Sequence, residues 1–157
     1  MGVFDIIGPV MIGPSSSHTA GAARIGLLSR YILKEEPVKA DITFYGSFAK
    51  TYCGHGTDKA VIAGLLGCGA DDPAIRNAYE LAAEKKLTIK IRTSDEDVQH
   101  PNTVKINLFG IDGKTMEIVG VSLGGGKVSI RKINGFMADI SGETYTLLTV
   151  YNDQSGV

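Results

Sequence analysis

This chain has little of what marks several large functional classes. Its 157 residues contain no tryptophan, and the eleven Phe and Tyr residues are scattered, so a stacking platform for single-stranded nucleic acid is not expected. Formal net charge is −1. That leaves no basic footprint for nucleic acid or an anionic membrane. No apolar run approaches about 18 residues, the length that a membrane-spanning helix needs. The opening MGVFDIIGP lacks the basic flank and small-residue cleavage site of a signal peptide. Ile6 stands where a myristoylation signal wants Ser or Thr. Only Cys53 and Cys68 are present, too few for a disulfide framework or a four-cysteine metal site. A reducing cytoplasm is the expectation. No nucleic acid and no membrane is expected as a partner.

What is present is glycine, twenty of them, with several in clusters where backbone must approach something closely. The length fits one compact domain with a sizeable core. Residues 3–7 read as a short strand. A helix is expected from Thr19 to Leu33, with Ala20, Ala23, Leu27 and Ile32 in one stripe. Pro37 stops it. A strand follows over 38–47, with Ile42 and Phe44 on one face. Residues 47–56 read as a helical turn entering a Gly-His-Gly loop. Thr57 or Asp58 then caps a helix to Leu66, with Gly67 as its stop. Asp71-Asp72-Pro73 starts another helix, to Lys85 or Lys86. Strands are expected over 87–93, 103–110, 115–123 and 127–135, with an Asp-Gly hairpin turn at 111–114. Helices in the first half and antiparallel strands in the second predict an α+β fold, helices packed on a mainly antiparallel sheet. The last piece, ETYTLLTVYNDQSGV, carries a strong strand followed by a capping signal. It is expected to lead into a further domain.

Four motifs carry candidate chemistry. In GPSSSHTAGAARIG, Ser15, Ser16, Ser17, His18 and Thr19 precede a helix. Unpaired N–H groups and hydroxyl donors there make a cradle for a carboxylate or phosphate. An ordinary N-cap explains one of those hydroxyls but not the imidazole. In GHGTDKA, His55 lies between two glycines, before a second helix start that favours the neutral ring a general base requires. In HPNT, Asn102 suggests an Asx turn. In SLGGGK, Gly124 and Gly125 belong to a flexible stretch that is either a nest for an anion or a strand connection with a bulge.

FDIIGPVMIGPSSSHTAGAARIG, FAKTYCGHGTDKAVIAGLLG, HPNTVKI and GVSLGGGKVSI, in that order, resemble the β subunit of the bacterial iron–sulfur-dependent L-serine dehydratases. The C-terminal segment resembles the opening of an ACT domain. The resemblance implies a β domain over residues 1–142, with 143–157 as linker and first strand of a truncated ACT domain. It implies a fold resembling the allosteric substrate-binding domain of phosphoglycerate dehydrogenases. It implies a cytoplasmic lyase that converts L-serine to pyruvate and ammonia with a [4Fe–4S] cluster and no pyridoxal phosphate. The cluster cysteines would lie in a partner α subunit, with no metal ligand in this chain. The assembly would be a heterodimer or a homo-oligomer. His18 and His55 become the catalytic residues. Ser15, Ser16, Ser17, Thr19, Asn102, Gly124 and Gly125 become the substrate-binding set. Cys53 departs from the lysine common at its position in the family. The alternative is a regulatory module that binds serine or another anion and leaves all chemistry to its partner.

Overall fold

A computed structural model describes residues 9–149. The strand expected at 3–7 lies outside them. A five-residue π-helical turn, Ser16–Ala20, runs straight into helix α1, Gly21–Leu33. Strand β1 is Pro37–Tyr45. Helices α2, Gly46–His55, and α3, Thr57–Leu65, follow almost without interruption. A 3₁₀ turn, Pro73–Asn77, leads into α4, Ala78–Glu84. The remaining strands are β2, Thr88–Ser94, β3, Thr103–Gly110, β4, Thr115–Gly124, β5, Lys127–Ile133, and β6, Phe136–Ile140. They form one sheet in the order β2-β1-β3-β4-β5-β6. Among the described residues only β1 and β2 pair in parallel. Parallel neighbours need a crossover, and α2 to α4 supply it. The architecture is α+β, with helices on a mostly antiparallel sheet.

Alternation decides which face of the sheet is buried. Ala40, Ile42 and Phe44 of β1 and Val104, Ile106 and Leu108 of β3 point to the helices and are fully buried. Their neighbours Lys39, Asp41, Lys105 and Asn107 share the opposite face by register. That charged face has no second helical layer among the described residues. Helix α1 turns its Ala22, Ile25, Ser29 and Leu33 inward. Of the expected stripe, Ala20 and Ala23 are buried, while Leu27 and Ile32 are only half-buried.

Two glycines set how close α1 and α3 lie. A Cβ on Gly26 would meet the carbonyl oxygen of Val61, and one on Gly64 would meet that of Ala23. Backbone therefore packs on backbone at this seam. Arg30 fastens its far end, donating from Nη1 to Leu65 O at 3.1 Å and pairing with Glu36. A cation there also suits the negative end of α3.

Several local readings change. The segment expected as a Gly-His-Gly loop is helix up to His55, and Gly56 alone breaks it, with φ +63. No side chain caps α3. Gly56 is its N-cap, Thr57 is buried, and Asp58 accepts from the Tyr79 hydroxyl at 2.7 Å instead. Asp72 does cap its turn, accepting from Ala74 N at 2.8 Å. The helix expected from there divides into the 3₁₀ turn and α4. Strand β6 was not legible, because FMADI exposes most of its residues. The part of the expected C-terminal strand that is described, up to Thr149, is not in a strand, and the rest lies outside the described residues.

Candidate functional site

The end of the sheet where β1 finishes, β3 begins and β4 finishes gathers all four motifs. Strand β1 passes directly into α2 through Gly46, which takes φ +53 and whose Cβ would strike Pro101. The HPNT loop caps this turn. Pro101 O accepts from Ser47 N at 2.7 Å and from Phe48 N at 3.4 Å. The loop itself is closed by His100, not by the expected Asx turn. Its Nδ1 accepts from Asn102 N at 3.2 Å, and its carbonyl accepts from Thr103 Oγ1 at 2.5 Å. Asn102 reaches the neighbouring strand instead, donating from Nδ2 to Ser122 O at 3.5 Å. Ser122 N returns a bond to Asn102 O at 3.0 Å.

Within this frame the serine turn wraps one imidazole. Ser15 caps the π turn, its Oγ accepting from His18 N at 3.1 Å. Around the His18 ring, Nδ1 lies 3.1 Å from Ser17 Oγ and 3.4 Å from Ser15 Oγ, and those hydroxyls are 3.3 Å apart. Nε2 lies 3.0 Å from Ser47 Oγ. Both ring nitrogens thus meet hydroxyl groups, which donate or accept as the tautomer requires. Phe48 packs against the ring edge-on at 5.3 Å.

The second imidazole stands beside the first. The His18 and His55 ring centroids are 4.9 Å apart, tilted by 55°. Thr19 Oγ1 donates to His55 O at 3.0 Å, tying the π turn to the end of α2. His55 Nδ1 is buried with no hydrogen-bond partner among the described residues. The same residue lines an open groove of about 350 Å³. Burial holds the His18 pKa below the usual imidazole value, and the charge of His55 beside it adds to the depression. His18 is therefore neutral near pH 7.

Of the expected site residues, Ser15, Ser17, His18, Thr19 and His55 form one cluster through the bonds above. Ser16 is half-buried in the same turn. Asn102 stands one bond away, holding the β3 start to β4. Gly124 and Gly125 lie at the β4–β5 connection, beyond the register shift between Ser122 and Gly124. That segment is a strand connection with a bulge. Ser47 is the member that sequence reasoning missed. Its one signal was position, a small hydroxyl residue after glycine at a strand-to-helix junction.

The serine dehydratase β-chain family model matches residues 2–95. This chain belongs to that family. A Bacillus subtilis (strain 168) protein named as a probable L-serine dehydratase β chain is 51% identical over 154 residues, 98% of this chain and 70% of that one. The L-serine dehydratase β chain of Peptoniphilus asaccharolyticus is 41% identical over 155 residues, again 98% of this chain and 70% of its relative. A Mycobacterium bovis protein named L-serine dehydratase is 30% identical over 158 residues, which are 85% of this chain and 34% of that protein. A β-chain region can thus be one part of a much longer single chain.

The donor set of this β chain does not fit a [4Fe–4S] cluster, which takes four thiolates. Cys53 is exposed on α2. Cys68 is buried, and burial raises its thiol pKa, so it stays protonated. No group of three or more His, Cys, Asp or Glu side chains could hold a metal ion among the described residues.

Proposed function

We propose that this chain is the β subunit of an L-serine dehydratase, contributing half of an active site that an α subunit completes. The enzyme is read as a lyase that converts L-serine to pyruvate and ammonia, with a [4Fe–4S] cluster in the α subunit and no pyridoxal phosphate. The observation that carries this reading is the pairing of two imidazoles, 4.9 Å apart, backed by hydroxyls on one side and open to a groove on the other. Relatives named as β chains support the need for a partner, and so does the longer single-chain relative. A cytoplasmic setting belongs to the same reading, since a chain with only two cysteines needs no oxidising compartment.

Elimination from serine passes the α-proton to a base and expels the hydroxyl group as water, and the aminoacrylate that remains takes up water to give pyruvate and ammonia. The proton needs a neutral base within reach of the substrate. His55 takes that role, because it lines the groove while both ring nitrogens of His18 already face hydroxyls. His18 supports it. Ser15, Ser17 and Ser47 fix the His18 ring, and Thr19 anchors the carbonyl of His55. The depressed pKa of His18 means that a proton gained at His55 is not followed by a second one next to it. Ser16, in the same turn, and Asn102, Gly124 and Gly125 complete the substrate-binding set of this reading.

The test uses the assembled α–β enzyme. His55→Ala is expected to lower kcat by about a hundredfold or more, the usual contribution of a general base, and His18→Ala to lower it by a smaller factor. Full turnover in both variants would end this reading. Variants that bind serine poorly yet turn over normally at saturation would favour the regulatory module instead.

A further inference from the structure

The serine turn does not offer its hydroxyls freely to a carboxylate. Ser15 and Ser17 are engaged with His18 Nδ1 and with each other. Yet L-serine brings a carboxylate wherever its α-carbon meets a base. The groove beside His55 answers that need with charge. Its wall runs from Gly13 and Pro14 past Gly54, His55 and Gly56 to Lys59 and Arg76. A Cβ on Gly54 or on Gly56 would meet nothing within 4 Å, so space lies open on both sides of His55.

Among the described residues the charges in this wall have one sign, since Lys59 and Arg76 line it and no Asp or Glu does. Two nearby carboxylates are used elsewhere. Asp58 is 8% exposed and holds the Tyr79 hydroxyl. Asp72 caps its own turn. Among the described residues no carboxylate lies within ion-pair distance of Arg76. Lys59 Nζ donates to Arg76 O at 3.1 Å, which joins the 3₁₀ turn to α3 and keeps the two cations together. A guanidinium presents a planar pair of donors that matches a carboxylate. Such a pairing strengthens when a docked subunit excludes water from the groove.

We propose that Arg76 receives the substrate carboxylate in the groove beside His55, with Lys59 as the positioning residue that holds the Arg76 backbone and adds a second positive charge. This rests on reading His55 as the base that meets the substrate. Neither residue touches the proton being moved, so both act on binding. Substrates lacking the carboxylate then lose the main reason to enter.

The experiment measures KM and kcat for L-serine with the assembled α–β enzyme carrying Arg76→Gln, Arg76→Lys or Lys59→Gln. A charged hydrogen bond lost on binding corresponds to about a tenfold or greater rise in KM for Arg76→Gln, with kcat held within about threefold. Arg76→Lys is expected to recover part of the loss. Lys59→Gln is expected to raise KM by a smaller factor, and it carries the test should Arg76→Gln fail to assemble. A KM at the wild-type value, or a fall in kcat with KM unchanged, would overturn the proposal. The two readings fail separately. Turnover retained in His55→Ala removes the base and leaves an Arg76 effect on KM standing. An inactive His55→Ala with a normal KM in Arg76→Gln removes only the carboxylate site.

Discussion

At the scale of single residues, His18 makes a pH dependence that its partners explain. Its folded pKa lies below the ordinary value of about 6.5, first because of burial and then because of His55. As pH falls through that value, the unfolded imidazole takes a proton before the folded one does. Unfolding therefore binds protons, and stability drops with falling pH. The contribution is intact above the unfolded pKa and is lost as pH falls through the folded pKa. Thermal melts between pH 7 and pH 5 are expected to fall less steeply for His18→Gln than for the wild type. Equal slopes would show that His18 does not carry the effect. His55→Gln removes the neighbouring charge, so the His18 ring should titrate at higher pH when its imidazole resonances are followed by NMR.

At the scale of elements, the distance between the two imidazoles is set by helix packing. Helix α1 continues the turn that carries His18, and α3 begins just after His55. Gly26 and Gly64 let these helices meet backbone to backbone. Gly64→Ala inserts a methyl where the Ala23 carbonyl stands. Overpacking of this kind costs about 1–3 kcal/mol, and Tm shifts by roughly 2–4 °C per kcal/mol at this chain length. The variant is expected to melt several degrees lower by differential scanning calorimetry. Activity should fall too at temperatures where the protein stays folded, since the seam spaces His18 from His55. A melt identical to the wild type would mean that the seam tolerates a side chain and does not set that spacing.

At the scale of the whole molecule, the site sits at one end of a one-layered sheet, with a groove that a second protein can close. Cys53 reports on that closure. It is exposed and shares the groove with His55, whereas Cys68 is buried with a raised thiol pKa. An alkylating reagent is expected to modify Cys53 readily in the separate β chain, and Cys68 slowly if at all. Addition of the α subunit should protect Cys53. Equal labelling rates with and without the α subunit would place the interface elsewhere and count against a shared site. If the carboxylate of L-serine meets Lys59 and Arg76 in this groove, KM in the complex is expected to rise as salt is raised, and a KM independent of ionic strength would count against that contact.

Much of this protein follows from local pattern. The alternation of VKADITFY and TVKINLF decides which residues of β1 and β3 face the helices, because a strand's side chains alternate whatever surrounds it. Asp-Gly at 112–113 sets its hairpin through backbone preference, whereas the strand after Asn-Gly at 134–135 carries no alternation that would announce it. The serine turn and GHG were visible as candidate chemistry for the same reason, as unusual residue types beside helix starts. What the tertiary structure decided is convergence. Nothing local in HPNT says that Pro101 O caps the helix bearing Ser47, or that Ser47 reaches His18 across 29 positions of sequence. The parallel pairing of β1 with β2 and the meeting of His18 with His55 depend on which strands share an edge and how closely two helices pack. Those are properties of burial shared among distant segments, and no short window of sequence contains both partners.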